Sequence, residues 1–283
     1  MSYKSIGITG SKGVLGSYIK KNLKNIKFDC FNGDIKNKRD IQKWLKGKKF
    51  DALFHFAAVV PTKNVLKNYN HSKKINYLGT KLLIDHVKKS KTTKWFLFTS
   101  TSHVYNFSKK KITESSEIKP ISKYGLTKLM AEKYLLKKSG DVNVCIIRIF
   151  SYTNFNQNIS FFIPSIYKKF LINESINLDN INHVRDFINI SDIYYAIKLL
   201  YLKKSKGIYN LGSGKPTHLI KIVKHLSKLF NKKYTITKSN IKTIHVADIK
   251  KLVKLGWKPK SSIIKILKSY HLKFKKNKLY FTI

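Results

Sequence analysis

Acidic residues are scarce in this chain: 14 Asp and Glu stand against 58 Lys and Arg in 283 residues, a formal net charge of +44 at pH 7. Arginine is scarcer still, represented only by Arg39, Arg148 and Arg185. Surfaces that grip phosphate backbones mix in many guanidinium groups, because the planar fork meets a phosphate at two points. Here the cations are almost all lysine, scattered over the whole chain together with abundant Asn and Ile. Those three residue types have the most A/T-rich codons, so the excess reads as codon bias, and a nucleic-acid partner is not expected. By the same reasoning, the surviving arginines and carboxylates are candidates for positions whose chemistry tolerates no exchange.

Only two cysteines are present, Cys30 and Cys145, each in an apolar strand-like run. That excludes a disulfide framework and fits buried thiols in a reducing compartment. Five prolines and the lack of low-complexity stretches leave no obvious linker, and there is no internal repeat. No apolar run reaches the roughly 18 residues that a membrane-spanning helix needs. The chain enters a strand-like segment almost at once, leaving no room for a signal peptide. A cytoplasmic location and no membrane partner are therefore expected. Against these absences, 42% apolar residues suffice for a substantial core.

Strand-like runs at 5–9, 27–31, 51–57, 94–99 and 142–149 alternate with helix-like periodicity at 14–23, 41–45, 73–89 and 123–138. That alternation predicts a doubly wound parallel sheet, an α/β fold. After Phe150 the pattern loosens and becomes rich in Asn, Ser and aromatics. Late strands are expected at 186–190 and 207–211, and short helices at 220–229 and 249–255. The domain reading assigns residues 1–150 plus 184–213 to a dinucleotide-binding domain. Residues 151–183 plus 214–283 form a smaller C-terminal substrate-binding lobe in that reading.

Gly10-Ser11-Lys12-Gly13-Val14-Leu15-Gly16 follows the first strand and opens the first helix. In such a turn one glycine permits the sharp bend, one lets the backbone reach a pyrophosphate, and one lets helix and strand pack closely. The anion then rests at the positive end of the helix. Further on, Tyr124 and Lys128 stand at i and i+4, on one face of a helix. A free phenol titrates near 10, too high for a base at neutral pH, and a neighbouring ammonium favours the phenolate. The run from Phe98 to Tyr105 places Thr101 and His103 just after a strand, and Arg185-Asp186-Phe187-Ile188 sits far downstream.

The spacing Gly10-x-x-Gly13-x-x-Gly16 resembles that of the extended short-chain dehydrogenase/reductase superfamily, in particular its NAD-dependent epimerase/dehydratase members. Other segments resemble it too: Gly33-Asp34-Ile35, Ala57-Ala58, Asn76-Tyr77-Leu78-Gly79-Thr80, Tyr209-Asn210-Leu211-Gly212-Ser213-Gly214 and Leu255-Gly256-Trp257-Lys258-Pro259. The likeness covers nearly the whole chain and implies a Rossmann-type fold binding NAD or NADP. It implies cofactor contacts from Gly10, Gly13, Val14, Leu15, Gly16, Asp34, Ile35, Ala57, Ala58, Tyr124 and Lys128. Nearby Asp34 tilts the reading toward NAD. It implies Thr101, Tyr124 and Lys128 as the catalytic set, and a nucleotide-linked sugar held by Thr101, His103 and Arg185, the last on the diphosphate. It also implies a homodimer through the helices at 73–89 and 123–138; no metal is expected. Ser151 stands where the family usually carries Asn, and Arg148 reads as a structural ion pair.

Three chemistries share such a scaffold. A 4-epimerase oxidises a ring carbon and returns the hydride to the other face, in polysaccharide or deoxysugar synthesis. A 4-keto-6-deoxysugar reductase consumes reduced cofactor. A 4,6-dehydratase needs carboxylates directly after the catalytic Thr, where this chain has Ser102 and His103. The dehydratase is thus least favoured; epimerase and reductase both stay open. A non-catalytic nucleotide- or RNA-binding relative is the remaining alternative, and the complete Thr, Tyr and Lys set argues against it.

Overall fold

A computed structural model describes residues 4–276 apart from 61, 174, 180 and 238–241. The first half alternates strand and helix as its pattern demands. β1 (Lys4–Thr9), α1 (Val14–Asn22), β2 (Ile26–Cys30), α2 (Lys38–Leu45) and β3 (Ala52–His55) come first. After the short helices α3 (Thr62–Lys67) and α4 (Tyr69–Lys73), a π-helical turn at Lys74–Gly79 leads into α5 (Thr80–Ser90). β4 (Trp95–Thr101), α6 (Lys123–Lys138) and β5 (Asn143–Ile149) complete this half. The helix expected at 73–89 is therefore one continuous helical path interrupted by a widened turn.

β6 (Ser151–Thr153), α7 (Phe162–Ile172), β7 (Ser175–Leu178), β8 (Val184–Asn189), α8 (Ile190–Leu202) and β9 (Gly207–Leu211) follow. The chain then forms β10 (Pro216–His218), α9 (Leu219–Phe230), β11 (Lys233–Ile236), β12 (Ile244–His245), α10 (Lys250–Lys254) and α11 (Ile263–Lys276). The main sheet has the order β2-β1-β3-β4-β5-β9, all parallel. It is a Rossmann-type doubly wound sheet whose strand order reverses between β1 and β3. In open parallel sheets the crevice beyond the carboxyl ends of the strands at such a reversal is where ligands bind.

β3, β4 and β5 read as near-continuous apolar runs because helices cover both faces of the sheet. One face packs under α1 and α8 through Ile19, Ile193 and Ile197; the other packs under α2, α5 and α6 through Ile41, Leu83 and Leu135. A second sheet centres on β8, with β10 antiparallel and β12 parallel along its first half and β6 parallel along its second. β7 and β11 form a separate parallel pair. Ile166, Phe170, Ile222, Val223, Leu226 and Leu267 make the core of this smaller lobe. Within the expected stretch 184–213, then, β8 lies in the second sheet, whereas α8 and β9 return to the first.

Several polar positions stitch the two sheets together. Asp186 on β8 accepts hydrogen bonds from Ser213 N (2.6 Å), Ser213 Oγ (2.6 Å), Gly214 N (2.9 Å) and Ala247 N (3.1 Å). Asp192 in the first turn of α8 accepts from Lys260 N (3.1 Å) and Ser261 N (3.0 Å), while its carbonyl accepts from Trp257 Nε1 (3.1 Å). No helix among the described residues is long and apolar enough to cross a membrane. Among them, too, no group of three or more His, Cys, Asp and Glu could hold a metal.

Candidate active site

A cavity of about 810 Å³ opens at the carboxyl ends of β1, β3, β4 and β5, where the second sheet leans over the first. Gly10, Gly13, Val14, Leu15 and Gly16 line one side, with Ala57 and Ala58 from the end of β3. The three glycines are needed for different reasons. Gly10 has φ +70°, and a Cβ there would sit 2.5 Å from Ala57 N. A Cβ on Gly16 would sit 2.2 Å from Gly10 O, so the helix start and the turn touch through it. A Cβ on Gly13 would meet only Gly10 O, at 3.3 Å. The protein itself hardly requires glycine at 13; a ligand passing over the backbone would. The turn therefore fits the pyrophosphate of a dinucleotide, and α1 presents its amino end to it.

This yields a separable prediction. Gly13→Ala should retain the thermal midpoint within a few degrees while losing at least tenfold in affinity for the dinucleotide. Gly16→Ala should unfold at a clearly lower temperature. Differential scanning fluorimetry with and without NAD+ checks both, and an undiminished NAD+-induced shift in Gly13→Ala would contradict the assignment.

Asp34 and Ile35 do not line this cavity. Asp34 is half exposed, with its carboxylate accepting from Lys36 N (2.9 Å) and paired with Lys36 Nζ (3.1 Å). Its own N–H donates to Asp40 Oδ2 (2.8 Å). Ile35 packs beneath the π-helical turn, where a Cβ on Gly79 would lie 3.0 Å from it. The carboxylate behind the tilt toward NAD is thus engaged with Lys36.

The reactive group of side chains comes from β4, the turn after it, and α6. Thr101 ends β4 and accepts from His103 N at 3.2 Å, so its own proton remains free to point into the cavity. α6 begins where the sequence predicted. Ser122 caps it, accepting from Gly125 N at 3.0 Å, and also bonds His103 Nδ1 at 3.0 Å. Gly125 lets the helix touch the turn, since a Cβ there would lie 2.2 Å from His103 O. Tyr124 and Lys128 then face the cavity one helical turn apart. Lys128 is 1% exposed, its ammonium 4.1 Å from the centroid of the Phe98 ring.

Burial shapes the charges here. It pushes the Tyr124 phenol up, with nearby Tyr152 adding to the effect, and takes Lys128 down to about 7. In the protein alone, both groups are driven toward their neutral forms. The lowering expected for Tyr124 is not what this chain does by itself: the cavity is apolar, and no cation offsets the cost of burying a phenolate. Burial, seconded by Arg185, takes His103 down to about 4. His103 is therefore a neutral imidazole at pH 7.

Arg185 reaches the cavity from β8. Its Nη1 donates to the carbonyls of Val184 (2.9 Å) and Thr243 (3.0 Å), and Nη2 to Thr243 Oγ1 (2.9 Å). These bonds fix the guanidinium plane and leave Nε and the second Nη2 hydrogen free for an incoming anion. His245, paired in register with Arg185 and 6.4 Å from the His103 ring, escaped sequence reasoning. It sits in a short strand that no apolar alternation marks. Arg148 is the structural ion pair the sequence suggested: Nη2 lies 2.6 Å from Glu132 Oε2, with both side chains buried.

Behind the site runs a sealed polar chain. His55 Nδ1 meets Thr9 Oγ1 (2.6 Å), and Nε2 meets Thr80 Oγ1 (2.9 Å). Asn76, buried at the π-helical turn, accepts from Val59 N (2.7 Å) and donates to Thr127 Oγ1 (3.1 Å). The widened turn thus aims an amide at both the β3 exit and α6, a placement typical of π-bulges. Burial, then Lys128, hold His55 at about 3, far below the ordinary 6.5. A histidine depressed in the folded state binds its proton only when unfolded. Its stabilising effect is therefore complete above about 6.5 and is lost as pH falls toward 3. Urea unfolding should show stability dropping below pH 6.5 by up to about 1.4 kcal/mol per pH unit for each such histidine. A flat profile from pH 7 to 5 would contradict a sealed neutral His55.

A family model described as the NAD dependent epimerase/dehydratase family matches residues 6–212. The chain belongs to this family. Among curated relatives, the UDP-glucose 4-epimerase of Lactobacillus helveticus is 28% identical over 263 residues, covering 81% of this chain and 78% of its own length. The GDP-6-deoxy-D-talose 4-dehydrogenase of Aggregatibacter actinomycetemcomitans is 28% identical over 215 residues, covering 72% and 71%. Among solved structures, the UDP-N-acetylglucosamine 4-epimerase of Methanobrevibacter ruminantium, in complex with UDP-N-acetylmuramic acid, superposes with a TM-score of 0.82. It is 22% identical and covers 99% of this chain and all of its own. That last likeness speaks to the fold.

Proposed function

We propose that this family member is an NAD(P)-dependent sugar-nucleotide epimerase acting at a ring carbon, C4 in the first instance. The observation that carries the reading is convergence. The glycine turn, the Thr101, Tyr124 and Lys128 set and the Arg185 fork open on one cavity although they come from opposite ends of the chain and from two sheets. When bound, the nicotinamide supplies a reversible acceptor and donor of hydride. The chain's own residues do the rest. The turn at Gly10–Gly16, with Ala57 and Ala58, cradles the dinucleotide; Asp34 and Ile35 meet its adenine edge. Thr101 donates a hydrogen bond to the reacting oxygen. Tyr124 moves that oxygen's proton, and Lys128 holds the phenolate form when its own proton is present. Arg185 meets the diphosphate of the sugar nucleotide.

His103, neutral and tied to Ser122, lines the pocket as a hydrogen-bonding group rather than a titrating acid. A group held near 4 has no proton to give at pH 7. α5 and α6 form the face through which two copies pair as a homodimer. The 4-dehydrogenase relative keeps a second reading in play, reduction of a 4-keto-6-deoxysugar, because Phe161, Phe162 and Leu219 give the cavity an apolar side suited to a deoxygenated ring.

One experiment separates these readings. The purified protein is incubated with UDP- and GDP-sugars and trace NAD+, and separately with 4-keto-6-deoxysugar nucleotides and equimolar NADPH or NADH, and both sugar and cofactor are followed. Isomerised sugar without net cofactor change supports the epimerase. Stoichiometric cofactor consumption replaces it with the reductase, and inertness toward the whole panel overturns both.

A further inference from the structure

β6 is only three residues long, yet it forms the cavity wall beside the reactive group. It follows β5 directly and pairs with the second half of β8, Tyr152 opposite Ile188. This strand brings one large polar side chain into the cavity, Tyr152. Ile149, Phe150, Phe161 and Phe187 are on the same walls, with the smaller polar side chains of Ser151, Thr153 and Ser160 between them. Tyr152 and Tyr124 line the same cavity, together with Ser100 to His103 from the end of β4 and the turn after it.

Its position is built rather than incidental. Gln157, itself 6% exposed, folds back under the loop after β6. Its Oε1 accepts from Asn154 N (3.2 Å) and its Nε2 donates to the Tyr152 carbonyl (3.2 Å), pinning the strand. Burial pushes the Tyr152 phenol up, so at neutral pH it keeps its proton and can donate it. A ring dense in hydroxyls placed between Tyr124 and these aromatic walls needs such a donor, because each buried sugar oxygen without a partner costs binding energy.

We propose that Tyr152 is a substrate-positioning residue, donating a hydrogen bond to an oxygen of the sugar ring next to the reacting carbon. Gln157 orients it. The inference rests on the sugar-nucleotide reading above and adds a contact from a segment that the sequence motifs do not cover. Tyr152 confers affinity for the sugar over the bare nucleoside diphosphate; it holds the ring so that one carbon faces Tyr124.

The test is equilibrium binding to the NAD+-saturated protein, comparing UDP with UDP-glucose and GDP with GDP-mannose, in the parent and in Tyr152→Phe. In the parent, one sugar nucleotide should bind more tightly than its diphosphate. Tyr152→Phe should cut that increment by about 3- to 10-fold, the worth of one hydrogen bond, while diphosphate and NAD+ affinities change less than twofold. In turnover, KM should rise with kcat within about threefold. Gln157→Leu should reproduce part of the loss, since it unpins the strand carbonyl that sets where Tyr152 stands. An unchanged increment in Tyr152→Phe would overturn the proposal, as would an equal loss for diphosphate and sugar nucleotide, which marks a structural role. If the parent binds neither sugar nucleotide better than its diphosphate, the functional reading falls first and this inference falls with it.

Discussion

Tyr124→Phe should lower turnover by about 10²–10⁴-fold, the usual contribution of a positioned proton carrier, and leave NAD+ affinity within a factor of two. The substitution keeps the ring that fills the cavity wall and removes only the ionisable oxygen. The effect is expected to be this large because the neighbouring groups are poor substitutes, Tyr152 included, whose phenol burial also pushes up. Thr101 has a hydroxyl that does not ionise in the accessible range. His103 is held neutral at about 4, and Lys128 is sealed against the Phe98 ring. The size of the loss should also depend on pH. Burial raises Tyr124, so the phenolate that accepts the substrate's proton becomes more abundant as pH rises. The parent's rate in the oxidation direction should therefore climb up to about pH 7 and level off beyond it, as Lys128, taken down to about 7, gives up the proton that favours the phenolate; the ratio of parent to variant should follow the same curve. Steady-state kinetics from pH 6 to 9 check this. Retention of more than about a tenth of the activity would remove Tyr124 from the reaction and shift the proton to water or His103.

Much of this site was legible in the sequence because its parts are local. A glycine turn between strand and helix, a Tyr and Lys one helical turn apart, and a Thr at the end of a buried strand each need only a short segment to be recognised. α6 begins and ends where expected since its cap, Ser122, and its amphipathic run lie next to each other in the chain. What was not legible depends on contacts between distant segments. β8 pairs with three strands from separate parts of the chain, two of them three residues long and one two, and nothing local marks such short strands. α7 and α8 are apolar on nearly all sides, so their periodicity is faint. Tyr152 was passed over for the same reason: its strand is three residues long and its significance comes from Tyr124 and Gln157. The carboxylates carry a further lesson. Asp186 and Asp192, next to and just after Arg185 in the chain, spend their oxygens on backbone N–H groups of the 213–214, 247 and 260–261 segments. From this stretch it is Arg185 and Phe187 that reach the cavity.

The largest stability loss is expected from Arg148→Met. Arg148 on β5 binds Glu132 on α6 through Nε (3.1 Å) and Nη2 (2.6 Å), and its Nη1 donates to Tyr105 Oη at 2.7 Å. Tyr105 Oη in turn donates to Asn210 Oδ1 (2.7 Å), and Asn210 Nδ2 donates to the Ile112 carbonyl (2.8 Å). This buried chain joins the catalytic helix to two strands of the main sheet and to the loop leaving β4. Methionine would fill most of the volume but leave the Glu132 carboxylate, 1% exposed, without its hydrogen-bonded counter-charge, with only the more distant field of Lys128 to offset it. Removing one partner of such a pair costs about 3–5 kcal/mol, most of it the penalty for the stranded charge. A fall of that size in urea-unfolding free energy is expected, with Tyr124 displaced enough to reduce activity as well. The double variant Arg148→Met, Glu132→Leu decides whether charge or shape is responsible. With both charges gone the stranded carboxylate no longer exists, and much of the loss should return, as a well-packed apolar pair can match a buried ion pair. A double variant no more stable than Arg148→Met would place the cost in the Tyr105 and Asn210 bonds instead. A single variant that loses less than about 1 kcal/mol, the worth of an exposed pair, would show that water reaches Glu132 and that the pair is not sealed in solution.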